Sequence, residues 1–180
     1  MLTNSRLAYH HHDHKRCISA ALQQAKVLCG DNHARLTPIR EAVLRTIWAS
    51  HQPLGAYDIV DKMTLNTHTG KRIKAPTVYR AIEFLLEQGL IHRIASLNAY
   101  IGCPFPGNIH NDFFLICRSC GSAAECSTEQ LNNTVAQTAE RTGFKVESQV
   151  IEISGLCPRC QNKGQNEAFE QEIPQQEQQQ

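Results

Sequence analysis

The chain has no run of 18 apolar residues, so no segment reads as a membrane-spanning helix. Its start, MLTNSRLAYHHHDHKRC, has no apolar stretch behind a basic one and is not expected to be a secretion signal. No acid, base and nucleophile set stands at a plausible spacing, which argues against an enzyme and against a small-molecule substrate. Without a secretion signal, the eight cysteines point to a reducing, cytoplasmic setting, where paired thiols hold metal more often than they cross-link. Net charge is nearly absent too, at +1, but it is unevenly placed. Residues 1–100 carry 13 Lys and Arg against 7 Asp and Glu, net +6; residues 101–180 carry 5 against 10, net −5. The basic front half is therefore the part expected to meet a polyanion.

What is present is organised around two Cys-x-x-Cys pairs, Cys117-Arg118-Ser119-Cys120 and Cys157-Pro158-Arg159-Cys160. Each such turn aims two sulfurs at one point about 2.3 Å away, and two turns complete a closed tetrahedral zinc shell that holds structure and does no chemistry. The 36 residues between the pairs are more than a zinc ribbon uses. Doubling a loop adds only about 0.6 kcal/mol of closure entropy, small against the roughly 10 kcal/mol that zinc binding can supply. Two disulfides, or a redox Cys-x-x-Cys, are the alternatives. A redox motif needs no second copy, and Arg118 and Arg159 can offset the double negative charge of a four-thiolate zinc site.

In chain order, residues 1–17 form a polar tail with His10, His11, His12 and His14, a weak metal-binding run or simply a solvated segment. A short helix is expected over Ser19–Cys29. Thr37 and Pro38 open a second helix carrying Ile39, Val43, Ile47 and Trp48 on one stripe and running through Ser50. A third begins near Ala56, and a fourth runs from Pro76 to Gly89 with Val78, Ile82, Leu85 and Leu86 inward. Leu90–Ala95 and Ala99–Cys103 alternate as a hairpin. Helices followed by a hairpin give the order of a winged helix-turn-helix, over residues 18–103. Residues 104–109 are rich in proline and glycine and read as a hinge. In residues 110–160 a strand leads into the first knuckle, Ala123–Cys126 leads out, and Ser127-Thr128-Glu129-Gln130 is a capping box opening a helix through Arg141 with Leu131 and Val135 inward. Phe144–Ile153 alternates as a strand that delivers the second knuckle. Residues 161–180, rich in Gln and Glu, read as a disordered tail. The fold class is thus α+β, a winged-helix domain followed by a small α/β dimerisation domain with a structural four-cysteine zinc site. The second domain is too thin for a large core, so zinc and pairing with a second copy are expected to hold it.

The final helix of the first domain has a polar N-terminal turn that fits the major groove of double-stranded DNA. Arg80 can fork onto guanine, Thr77 and Tyr79 lie beside it, Tyr57 joins them as a DNA contact, and Lys71, Arg72 and Lys74 attract phosphates without reading sequence. The plainer alternative is that these side chains merely coat an exposed helix.

The runs Leu36-Thr37-Pro38-Ile39-Arg40, Ala75-Pro76-Thr77-Val78-Tyr79-Arg80-Ala81, Phe84 to Leu90, Phe114 to Gly121 and Gly155 to Cys160 resemble the ferric uptake regulator family of metal-sensing repressors, most closely its zinc uptake branch. The resemblance covers about Ser19 to Cys160. It implies a dimer that represses transcription when its cognate metal is bound, and it carries a regulatory zinc site onto His92, Cys103, His110 and Glu125. Two zinc ions per chain are then expected. The iron-sensing branch has a His-rich cluster before the Cys-x-x-Cys strand, where this chain has His110 alone in Ile109-His110-Asn111-Asp112-Phe113. A thiolate ligand also favours zinc over ferrous iron. An ion bridging the wing and the second domain would pin the two against swinging on the hinge. Sensors of iron, manganese or peroxide, a thiol redox protein and a zinc-built interaction module remain the rival readings.

Overall fold

Asp13 starts the first helix: its carboxylate accepts the Lys15 N–H at 3.1 Å, and α1 runs from His14 to Asp31. The helix thus begins inside the stretch read as tail, because a capping aspartate stands among the histidines. The computed structural model describes residues 9, 13–65, 73–107 and 113–162. Lys71, Arg72, His110, the His10 to His12 run and the Gln-rich stretch from residue 163 lie outside them.

Pro38 opens α2 (Pro38–Ile47). Thr37 holds the N-cap position with an extended backbone but makes no capping bond through its side chain, and the helix closes at Trp48 rather than reaching Ser50. Leu54–Gly55, read from sequence only as a helix break, is a two-residue strand, β1. It is followed by α3 (Ala56–Leu65) and α4 (Ala75–Glu87). Gly89 then takes φ +63°, a left-handed conformation that suits glycine, and the Leu90 N–H returns to the Leu85 carbonyl at 2.9 Å. The wing is β2 (Ile91–Ile94) and β3 (Ala99–Gly102), antiparallel from Ile91↔Gly102 to Ile94↔Ala99, with β1 on the far side of β3. Val43, Leu44, Ile47, Ile59, Val78 and Leu85 are fully buried between the helices. Each such side chain contributes about 1.5–3 kcal/mol relative to exposure.

The second domain is a three-stranded sheet, β4 (Phe113–Cys117), β5 (Ala123–Cys126) and β6 (Ile151–Gly155), in the order β5-β4-β6. β5 is antiparallel to β4, and β6 is parallel to it. Between β5 and β6 lies α5 (Glu129–Arg141). Two expectations are corrected here. The capping box does not form: α5 follows Thr128, whose side chain makes no capping bond and instead meets the Gln130 side chain. The strand expected over Phe144–Ile153 is confined to Ile151 onward, where pairing with Phe113 of β4 begins. Phe144, Val146 and Val150 are exposed. Leu131 and Val135 are only half-buried.

Wing and second sheet pack together. Ile94 and Ile101 form an apolar cluster with Phe114, Ile116 and Ala123. The Ala123 N–H donates to the His51 carbonyl at 2.9 Å, and the Gln52 amide donates to the Cys120 carbonyl at 2.6 Å. A cavity of about 370 Å³ remains between α1, the wing and the sheet, with Cys17, Trp48, His51, Ile101 and Glu125 on its walls.

Candidate metal centres and nucleic-acid interface

The four knuckle cysteines converge. Cys117 ends β4, and the turn after it is closed by the Gly121 N–H on the Cys117 carbonyl at 2.8 Å, with Gly121 at φ +72°. The second knuckle is a short helical turn in which the Cys160 and Gln161 N–H groups both reach the Cys157 carbonyl, at 2.9 and 3.0 Å. The Arg118 N–H donates to the Gly155 carbonyl at 2.9 Å, which fixes one knuckle against the other. All four sulfurs lie within 4.8 Å of one another, and Cys120 and Cys157 are 3.8 Å apart. A sulfur tetrahedron around zinc at about 2.3 Å has an edge of about 3.8 Å, whereas a disulfide needs about 2.05 Å. The donor set therefore fits zinc, and all four cysteines are free rather than paired in disulfides.

Two of the four thiols are held below the ordinary value and one above it. Cys117 is buried, which raises its pKa, yet the N–H groups of Cys120, Cys157 and Ser119 pull it below the ordinary thiol value. The Ser122 hydroxyl draws Cys120 down to about 6. Burial pushes Cys157 up to about 11. Four thiolates so close cannot all ionise without a cation among them.

A second cluster joins His92 of β2, Cys103 just after β3 and Glu125 of β5, with candidate donor atoms within 4.8 Å of one another. His92 Nε2 is 3.2 Å from Glu125 Oε1, and its ring packs on Phe114 with centroids 5.6 Å apart. Cys103 and Glu125 are 2% and 6% exposed, so a metal held here would be dry on the protein side. The Cys103 N–H donates to the Leu90 carbonyl at 3.0 Å, which extends the hairpin by one bond and fixes the thiol. Two of these donors come from the wing domain and one from the second sheet. His110, the fourth residue of the expected set, lies outside the described residues. Imidazole, thiolate and carboxylate together suit zinc.

Sequence reading missed what braces Cys103. A Cβ on Gly102 would sit 2.2 Å from the Trp48 indole, so glycine is needed for that ring to lie under the wing. A glycine in a strand pattern beside a cysteine was the available signal. It also missed Tyr9, whose hydroxyl donates to the Leu115 carbonyl at 2.5 Å and whose pKa is raised by burial and then by the Cys126 and knuckle thiols.

At the N-terminal half of α4, Lys74, Thr77 and Arg80 are exposed, and Tyr79 is half-buried. Tyr57 on α3 is 80% exposed. Slight burial and a hydrogen bond with Tyr57 raise the Tyr79 pKa, so the two phenols form one patch across α3 and α4. Among the described residues no helix is long and apolar enough to cross a membrane.

Known proteins resemble this chain in sequence and fold. The ferric uptake regulator family profile matches residues 31–154. The zinc uptake regulation protein of Escherichia coli (strain K12) is 38% identical over 140 residues, covering 77% of this chain and 80% of that protein. A solved structure of a zinc uptake regulator complexed with zinc and DNA superposes with a TM-score of 0.74 at 34% identity, over 82% of this chain and 97% of that one. Holo XcZur superposes with a TM-score of 0.70 at 33% identity, over 79% and 98%. With the winged helix, the four-cysteine cluster and a match across more than half its length, the chain belongs to the ferric uptake regulator family.

Proposed function

We propose that the chain is a zinc-responsive transcriptional repressor: a zinc-loaded homodimer that binds a palindromic operator in double-stranded DNA and shuts off zinc-uptake genes. The observation that carries this is the meeting of His92 and Cys103 from the wing with Glu125 from the second sheet within 4.8 Å. A metal there ties the DNA-reading head to the rest of the molecule.

Two zinc ions per chain are assigned, one at Cys117, Cys120, Cys157 and Cys160 and one at His92, Cys103, His110 and Glu125. The first is structural, with every coordination position taken by sulfur. The second is regulatory. Without it the heads swing on the connection that begins at Pro104, and few dimers match a two-fold site. Moving that balance from mostly open to mostly closed takes about 5.5 kcal/mol of preference for the closed form, within reach of one zinc site. DNA contacts are assigned to Tyr57, Lys71, Arg72, Lys74, Thr77, Tyr79 and Arg80. Support for the homodimer comes from Phe144, Val150, Ile153 and Leu156, all exposed on the second domain. The family name and the zinc uptake relatives point the same way.

The rival within the family is a sensor of iron, manganese or peroxide. The buried Cys103 thiol argues for zinc, since ferrous and manganous sites favour His and carboxylate. The test is operator binding in metal-buffered solution, on a duplex selected by the protein from random DNA. Zinc is expected to switch binding on at a lower free concentration than Fe(II) or Mn(II). A switch thrown by either of those metals with zinc buffered away would overturn the zinc assignment.

A further inference from the structure

Glu125 on β5, Phe114 on β4 and Glu152 on β6 stand in one row across the second sheet, because Phe114 is the register partner of both glutamates. Register partners project to the same face of a sheet, so all three meet the wing. β2 and its turn cross this row from end to end. His92 Nε2 is 3.2 Å from Glu125, the His92 ring packs on Phe114, and Ile94 joins Phe114 in the apolar cluster. At the far end the wing turn donates the Ala95 N–H to Glu152 Oε1 at 2.6 Å and the Ser96 N–H to Glu152 Oε2 at 3.0 Å.

One carboxylate thus takes part in the metal cluster while its counterpart grips backbone with no metal. We propose that Glu152 is a positioning residue for DNA binding, a metal-independent latch on the wing turn that sets how much zinc is needed to dock the reading head. This rests on the zinc-driven docking of the preceding section and adds a second, constant contribution to it.

The turn does not need Glu152 for its shape. It is closed by the Asn98 N–H on the Ala95 carbonyl at 3.2 Å, Asn98 takes φ +47°, and the Arg93 guanidinium donates to Asn98 Oδ1 at 2.7 Å. Its two N–H groups are left aimed at the sheet. Partial burial works against ionisation of Glu152, but the Ser96 hydroxyl and the two turn amides outweigh it and hold the carboxyl below its ordinary range. The charged form, the better acceptor, is therefore the one present near neutral pH. Both oxygens bond to main chain, at Ala95 and Ser96, and the Ser96 hydroxyl adds to the grip, so the latch reads where the wing turn lies. When the wing lifts away, both bonds are lost together, and without them more of the docking must come from zinc.

The experiment is a zinc titration of the full-length protein with its four-cysteine site filled, followed by operator binding and by the fluorescence of Trp48, the sole tryptophan. Glu152→Gln and Ser96→Pro are compared with the wild type, singly and together. Proline suits the second position of this turn and removes both the Ser96 N–H and its hydroxyl from the wing side, so it tests the contact even where Glu152→Gln disturbs folding. Each single variant is expected to raise the zinc midpoint about tenfold while operator affinity at saturating zinc and the melting temperature stay near wild type. The double variant should add little to the larger single effect, the mark of one shared contact. Wild-type binding that ignores zinc would overturn the docking mechanism itself. A wild type that titrates, with both variants within about twofold of it, would overturn the latch alone.

Discussion

Arg80 is exposed on the first half of α4, beside Thr77 and within one residue of the tyrosine patch. A guanidinium there can make a bidentate contact to guanine, whereas Lys74 supplies only a point charge to phosphate. Arg80→Ala is therefore expected to remove about 1–3 kcal/mol of discrimination at the base it reads, leaving salt-sensitive binding behind. Competition between operator and point-mutated duplexes measures this; unchanged discrimination would place the reading face elsewhere. Single residues were unevenly legible. Cys117, Cys120, Cys157 and Cys160 were plain because a two-residue spacing dictates the geometry locally. His92, Cys103 and Glu125 have no such spacing: they meet because a hairpin folds onto a strand from the other domain, and only the family resemblance picked them out. Glu152 gave no sign of its role, since two of its partners are main-chain amides that carry no sequence and the third, the Ser96 hydroxyl, lies 56 residues away in the chain.

Among the elements, the wing depends on Gly102. Its missing Cβ leaves room for Trp48, which supports the strand end that presents Cys103. Gly102→Ala forces one or the other aside, at a cost of about 1–3 kcal/mol for an overpacked site. Zinc affinity at the His92 cluster should fall and the thermal transition should drop, while the four-cysteine zinc stays bound. Isothermal titration alongside a melting curve tests this, and an unaltered second site would detach Trp48 from the wing's support. Element types followed from the sequence well, and their ends less so. Apolar periodicity marked α2, α3, α4 and the hairpin because each packs on one core. The alternation at Phe144 and Val146 misled because a strand needs a neighbour, and β4 offers pairing only from Ile151. The capping box at residues 127–130 misled for a related reason: Thr128 and Gln130 satisfy each other instead of the helix end.

In the whole molecule, the wing lies along the second sheet through three kinds of contact in sequence: a candidate metal cluster at Glu125, apolar packing at Phe114 and a carboxylate grip at Glu152. The first is the one a cell can add or remove. The other two need no metal and bias the head toward docking without completing it, which is what a graded zinc switch requires. The apolar face left open at Phe144, Val150, Ile153 and Leu156 offers a second copy a place to bind, and two heads held at a fixed separation can then read a two-fold site. The measurement that tests this most directly is operator affinity with the second zinc chelated away and the first still counted by native mass spectrometry. Affinity is expected to fall by about a hundredfold when each chain drops from two zinc ions to one, with the dimer intact. Equally tight binding by the dimer with one zinc per chain would contradict it.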